Sequence, residues 1–311
     1  MKKTLAFVFP GQGSQKIGML ADLAENYPVI TQTFAEASEV LGYDLWGLVQ
    51  NGTQEDITLT ERTQPLLLTA SVAVWRVWQQ KGGAQPSLMA GHSLGEWSAL
   101  VCAGVVNFKD AVRLVRNRGA YMQEAVPQGQ GAMAAIIGLD DDIIKSICTD
   151  ACQGEEVAAV NFNSPGQVVI AGNAAAVERA IDGCKAAGAK RALPLPVSAP
   201  FHTNLMKPAA DRLADEIMAT EFSEPQTLIV HNVHAQTESD PEKIKQLMID
   251  QICSPVLWVD CVKTLTSNGI DTVVECGAGK VLSGLCKRIE RSLGAQATEE
   301  PVNLEKALAE I

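Results

Sequence analysis

The chain has 311 residues, 47% of them apolar, which is enough to bury one large core or a core with a smaller unit set into it. With 36 acidic against 25 basic residues its formal charge is -11, which excludes a general binder of nucleic acid or of anionic membranes, since either calls for a broad basic surface. Eight cysteines occur without a C-x-x-C pair or the density of a small secreted scaffold, so they read as reduced packing residues.

In chain order, MKKTLAFVFPGQG places two lysines before an apolar run, as a signal peptide does, but Pro10 and Gly11 stop the run too early for one. Leu5 to Phe9 reads instead as a first strand that enters the turn PGQGSQ. Helical periodicity follows over residues 28–41, ending at Gly42, and over residues 64–81, where Leu68, Val72, Trp75 and Trp78 recur before Gly82 and Gly83. A short strand, the turn GHSLG and a helix carrying Leu94, Trp97, Leu100 and Val101 come next, then a helix over residues 108–126. Strands alternating with helices predict an α/β fold with a mostly parallel sheet. No segment approaches the ~20 continuous apolar residues that span a bilayer, and a soluble, cytoplasmic monomer is expected.

From residue 127 the order changes. GAMAAIIGL (strand), DDDIIKSICTDAC (helix), EEVAAVNFN and GQVVIAG (paired strands), NAAAVERAIDGCKAAG (helix) and KRALPLPV (strand) follow the ferredoxin-like order. The expectation is a small ferredoxin-like domain at 127–198, inserted in a large parallel-sheet α/β domain formed by 1–126 and 199–311. In the third region TLIVHNV, VLWVDCVKTLTSNG, DTVVECG and KVLSGLCKRIERSLG resume the alternation, and NLEKALAEI reads as a short surface helix.

Two glycine loops resemble phosphate sites without completing them. PGQGSQK has Lys16 where G-x-G-x-x-G needs its third glycine, and ECGAGKV lacks the earlier glycine and the Ser or Thr after Lys280 of a P-loop. In HNVH, His231 and His234 lack the helical spacing and the accompanying ligands of a zinc site, so exposed or turn histidines are expected and no metal.

The segment LMAGHSLGEWSAL holds Gly91-His92-Ser93-Leu94-Gly95 between a strand and a helix. In that setting the small residues permit a strained turn that exposes a serine, and the helix start offers backbone N–H groups to a developing oxyanion; this is the nucleophile elbow of hydrolase-like folds. Close strand-helix packing is the bland alternative. A serine nucleophile needs a base. His92 should project away from Ser93 across so sharp a turn and pack under the elbow, which leaves His202, in the loop PVSAPFHTNLMKP, as the candidate. In the helix at 108–126, Arg118 stands at the edge of the apolar stripe. It is either a structural ion pair, a snorkelling side chain, or a fork that grips a substrate carboxylate.

FVFPGQGSQ, GHSLGEWSAL, Arg116-Asn117-Arg118-Gly119, NFNSPGQVVIAG, APFH and GAGKVLSGL together resemble the malonyl-CoA:acyl carrier protein transacylases, acyltransferases that supply extender units to bacterial fatty-acid synthesis. The resemblance covers nearly the whole chain in order. It implies Ser93 as nucleophile and His202 as base, Arg118 as clamp for the malonyl carboxylate, and the N–H groups of Gln12 and Leu94 as oxyanion hole. It also implies that the main-chain carbonyl of Gln251 orients the histidine, so that no triad aspartate is needed. Phe201 resembles the bulky residue of malonyl-selective relatives, while Gly277-Ala278-Gly279 departs from the usual Gly-Pro-Gly. The implied substrates are malonyl-CoA, with CoA released, and acyl carrier protein, with no metal or redox cofactor. Carrier proteins of this pathway are typically acidic, which makes Lys190, Arg191 and Arg288, in two of the few basic clusters, candidates for docking; ordinary solvated charge is the equal alternative. Two other functions compete. A serine esterase or thioesterase would carry an HGGG-like loop before the elbow and an acid between Ser and a late His, and neither is evident. A non-catalytic malonyl-CoA-binding module would need no base beside the serine.

Overall fold

The computed structural model describes residues 4–197 and 199–311; Lys2 and Lys3 of the signal-like start and Ser198, at the expected domain boundary, lie outside them. β1 (Leu5–Phe9) is buried along its whole length, as an apolar run in the middle of a parallel sheet should be. Helices α1 (Ala21–Asn26), α2 (Val29–Leu41), α3 (Leu45–Asn51) and α4 (Gln54–Thr58) follow, and α2 ends as expected at Gly42, whose φ of 76° suits glycine. The long α5 (Thr60–Gln80) starts four residues before the periodicity suggested, taking Pro65 into its second turn. Next come β2 (Leu88–Gly91), α6 (Leu94–Cys102) and α7 (Phe108–Glu124).

The following six elements are β3 (Gly131–Ile137), α8 (Asp141–Ala151), β4 (Val157–Ser164), β5 (Gln167–Asn173), α9 (Ala174–Ala186) and β6 (Arg191–Pro194). Their strands form an antiparallel sheet in the order β4-β5-β3-β6, the ferredoxin-like arrangement, with α8 and α9 packed around Ile136, Ile144, Ile170 and Val177. β6 is shorter than expected because it runs into Pro194 and then Pro196, which bring no N–H to a ladder.

The chain then runs through α10 (Lys207–Ala219), β7 (Ile229–Val230), β8 (Thr237–Glu238), α11 (Pro241–Asp250), α12 (Trp258–Ser267), β9 (Thr272–Glu275), α13 (Val281–Ile289), β10 (Gly294–Ala297) and α14 (Pro301–Glu310). The second sheet has the order β10-β9-β1-β2-β7-β8, parallel throughout except for the β7-β8 hairpin. Alternate residues divide between its two faces. Phe7, Phe9, Met89, Ile229 and Val274 join the core beneath α5, α6 and α7, whereas Ala6, Val8, Ala90, Val230 and Val273 pack under α12 and α13. All eight cysteines are free thiols. Among the described residues no helix is long and apolar enough to cross a membrane.

Candidate active site

Three parallel strands end side by side, and the loops that leave them meet. β1 runs into Gly11 and Gln12, β2 into His92 and Ser93, and β7 into His231 and Asn232. The C-terminal edge of a parallel sheet is where such folds assemble sites.

Ser93 occupies the turn between β2 and α6 at φ 51° and ψ -109°, a left-handed conformation that costs a non-glycine residue about 1–3 kcal/mol and persists only where the surroundings hold it. Asn232 is the holder. Its Oδ1 accepts from the Ser93 N–H at 2.8 Å and its Nδ2 donates to the Gly91 carbonyl at 2.7 Å, so one buried side chain ties both ends of the turn. The flanking glycines are required by contact: a Cβ on Gly91 would lie 2.0 Å from the Gly95 carbonyl, and one on Gly95 2.0 Å from the Phe9 carbonyl. Gly11 is equally confined, its missing Cβ falling 2.5 Å from the His92 carbonyl, so the loop carrying Gln12 is pressed against the elbow. Leu94 is the first residue of α6, where the backbone N–H has no carbonyl one turn back.

His202, also at positive φ (65°), is buried and directs Nε2 to within 2.7 Å of the Ser93 hydroxyl. Its Nδ1 lies 2.9 Å from the main-chain carbonyl of Gln251. A carbonyl only accepts, so Nδ1 carries the proton and the Nε2 lone pair faces the Ser93 O–H. Burial, and next the positive charge of Arg118, push His202 down to about 3, which keeps the ring neutral.

Arg118, on α7, is only 1% exposed. Its Nη1 donates to Gln64 Oε1 at 2.8 Å; its Nη2 donates to Gln251 Oε1 at 2.9 Å and reaches Ser93 Oγ at 3.4 Å; Nε has no partner. Burial lowers it to about 10, opposed by the charge of Glu96, and it remains cationic at neutral pH. Among the described residues it forms no ion pair. The structural ion pair and the snorkelling side chain, the two bland alternatives for this residue, are therefore not what the fold builds.

Of the other expected residues, Phe201 is buried in the main core immediately before His202. His92 is turned away from Ser93, with Nε2 2.7 Å from Asn163 Oδ1 on β4 and its ring against Trp258. Lys190, Arg191 and Arg288 are exposed and come together at one end of the antiparallel sheet. Arg191 and Gln167 both pair with Ile137, the Lys190 N–H donates to the Ile137 carbonyl, and Arg288 donates to Gln167 Oε1 at 2.9 Å. One expectation fails. His234 is exposed in a turn, but His231 is fully buried, with Nδ1 2.6 Å from Glu96 Oε1, because the loop after β7 folds inward over the elbow.

The acyl transferase domain family matches residues 6–300. The chain belongs to that family. A malonyl CoA-acyl carrier protein transacylase of Salmonella typhimurium is 59% identical over 305 residues, spanning 98% of this chain and 99% of its own. Among solved structures, an acyl carrier protein S-malonyltransferase from Vibrio cholerae superposes with a TM-score of 0.96 at 60% identity, covering 98% of this chain and 99% of the other. A malonyl-transacylase in complex with a type II PKS acyl-carrier protein gives a TM-score of 0.98 at 58% identity, with both chains fully covered.

The site of this acyltransferase also contains residues that sequence patterns did not single out. Glu96, fully buried in the first turn of α6, accepts from His231, from the Asn232 N–H at 3.1 Å and from Gln251 Nε2 at 2.7 Å. Gln251 Nε2 also donates to the Ser93 carbonyl at 3.1 Å. Gln64 is a buried amide on the otherwise apolar face of α5. The available signal was a polar residue at a core position of a helix: Glu96 next to Trp97, and Gln64 ahead of the run from Leu66 to Leu68.

Proposed function

We propose that this acyltransferase moves the malonyl group from malonyl-CoA to the phosphopantetheine thiol of an acyl carrier protein, in two half-reactions that share a malonyl-Ser93 ester. The observation that carries this proposal is the conjunction at one point of a nucleophile, a neutral base and a buried unpaired guanidinium: Ser93 Oγ lies 2.7 Å from His202 Nε2 and 3.4 Å from Arg118 Nη2. A hydrolase needs the first two. The third suits an acyl group that ends in a carboxylate, because a planar fork can hold one through two parallel hydrogen bonds.

In the first half-reaction Ser93 Oγ attacks the thioester carbon while its proton passes to His202 Nε2. The oxyanion is held by the N–H groups of Gln12 and Leu94, the carbon-sulfur bond breaks, and the imidazolium returns the proton to the departing CoA sulfur. The second runs in reverse with the carrier thiol, which gives its proton to His202 and takes the malonyl carbon from Ser93. The carbonyl of Gln251 keeps Nδ1 protonated through both, which is the task an aspartate has in a triad. Phe201 narrows the acyl pocket beside the base. The relatives' printed names support both substrates, and the cluster of Lys190, Arg191 and Arg288 supplies a cationic face for an acidic carrier on a chain that is otherwise anionic. The apolar cluster of the antiparallel sheet supports its assignment as a separate small domain at 127–198, set into a large one made of 1–126 and 199–311.

The test is the ratio of kcat/KM for malonyl-CoA over acetyl-CoA. Arg118→Ala should lower malonyl transfer by several hundred-fold or more, in line with the ~3–5 kcal/mol cost of breaking a buried pair, and should spare acetyl transfer. Arg118→Lys should rescue poorly, since a point charge lacks the fork. A ratio unchanged across wild type, Ala and Lys refutes the carboxylate clamp, and absence of malonate on Ser93 by mass spectrometry refutes the ester.

A further inference from the structure

Arg118 is held entirely by neutral groups, and the orientation of each is fixed by what stands behind it. The two amide carbonyls of Gln64 and Gln251 accept from Nη1 and Nη2 of the guanidinium, at 2.8 and 2.9 Å. Behind Gln251, its Nε2 donates to the Ser93 main-chain carbonyl at 3.1 Å, an acceptor only, as well as to Glu96 Oε2 at 2.7 Å, so the amide presents its oxygen to Arg118. Behind Gln64, Nε2 points at the Met122 sulfur at 3.9 Å, again an acceptor only. Both glutamines are fully buried, and the nearest anion, Glu96, is kept one amide away from the cation. A carboxylate in direct contact would have satisfied a buried arginine better. It would also have occupied the charge.

From this arrangement we infer that Gln64 and the side chain of Gln251 are specificity-determining positioning residues: they fix the Arg118 fork without neutralising it, so that a carboxylate on the acyl group is the only anion that meets the guanidinium directly. The inference rests on the Arg118 clamp proposed above and goes beyond it, because it assigns selectivity to the absence of charge at position 64 as well as to its presence at 118. The acyl groups favoured are those with a terminal carboxylate within reach of both Ser93 and the fork, and neutral acyl groups are disfavoured because they leave a buried cation unpaired.

The test compares Gln64→Glu with Gln64→Met, both close to glutamine in size. Glutamate places a carboxylate on Nη1 and should cut malonyl kcat/KM by roughly 10- to 100-fold, the scale of a hydrogen-bonded charged partner; acetyl kcat/KM should hold or rise, so the malonyl-to-acetyl ratio falls. Methionine removes one hydrogen bond and adds no charge, so its ratio should stay at least about tenfold above that of the glutamate variant. A purely structural role for Gln64 predicts that both variants lose both activities together, and that result, or an unchanged ratio in Gln64→Glu, overturns the inference. If Gln64→Glu fails to fold by circular dichroism, Gln64→Met carries the test: it should keep a ratio well above that of Arg118→Ala, and a ratio that collapses to the Arg118→Ala value overturns it. Arg118→Ala in the same series separates the two levels. An unchanged ratio there removes the clamp itself, whereas a collapsed ratio there with an indifferent Gln64→Glu removes only the role of the neutral cradle.

Discussion

Replacing Asn232 by alanine tests how the elbow is held. The side chain makes two hydrogen bonds, to the Ser93 N–H at 2.8 Å and to the Gly91 carbonyl at 2.7 Å. Alanine can make neither. The Gly91 carbonyl is buried and would lose its side-chain donor, while Ser93 is half-buried, so its N–H can regain part of the loss from water. An abandoned buried polar group costs about 1–3 kcal/mol, and the pair together should cost about 2–4 kcal/mol of folding stability. The larger effect should fall on function: without the clamp the positive-φ strain at Ser93 can relax, and any rotation of the turn carries Oγ off the 2.7 Å approach to His202. Urea unfolding gives the first quantity and the rate of malonate incorporation from malonyl-CoA, followed by mass spectrometry, gives the second. Asn232→Asp adds a sign check. It keeps an acceptor for the Ser93 N–H but sets a carboxylate oxygen against the Gly91 carbonyl near Glu96, so it should be impaired at neutral pH and recover on acidification as the carboxyl gains a proton, whereas alanine should show no such recovery. A stability loss below about 1 kcal/mol together with unaltered acylation would show that the turn holds itself.

Three further outcomes are expected. Because burial and then Arg118 lower His202 from 6.5 to about 3, acylation should not fall with His202 protonation until well below its ordinary pKa; Arg118→Ala removes one cause, so the acid limb of acetyl transfer should move to higher pH, and a limb that stays in place would disprove the coupling. The same depression means that between about 3 and 6.5 the unfolded chain binds more protons at this residue than the folded one, so His202 makes stability decline as pH falls through that window. Changing Lys190, Arg191 and Arg288 to glutamate should slow transfer to the carrier protein more than self-malonylation, with the gap widest at low salt; equal effects on both half-reactions would remove the docking face.

How much of this was legible in the sequence depended on whether a residue's role was local. The strand-turn-helix around Ser93 could be read because its glycines answer a steric demand within five residues, and the six small-sheet elements could be read because their periodicities alternate cleanly between two and 3.6. Gly294–Ala297 could not: GAQA is a partly exposed edge strand with no apolar alternation, paired only because β9 offers it a free ladder. TLIVHNV predicted a longer strand than the two residues of β7, since the His231 side chain and both the backbone N–H and side chain of Asn232 are committed to the elbow and Glu96. Glu96, Gln64 and Asn232 could not be given a role for the same reason, although the first two stand out as polar residues at core positions. Each acts through a partner between 54 and 155 positions away, and nothing in the local pattern of an α-helix or a turn records that partner.

The hydrogen-bond chemistry of the site has one consistent feature that links its two ionisable centres. His202 Nδ1 faces a main-chain carbonyl of Gln251, and Arg118 faces a side-chain carbonyl of the same residue and another from Gln64. Gln251 therefore meets the His202 ring and the Arg118 guanidinium together, each with a neutral oxygen. A carboxylate at either position would have been the stronger partner for a cation. Placed on His202, it would have favoured the imidazolium and stood as a second anion close to Arg118; placed on Arg118, it would have competed with an incoming acyl carboxylate. Keeping Glu96 behind the Gln251 amide leaves the ring neutral with its lone pair on Ser93, and leaves the guanidinium charged with a free N–H edge. A hydrolase that accepts neutral esters gains nothing from that restraint, whereas an enzyme that must tell a carboxylated acyl group from an acetyl group does.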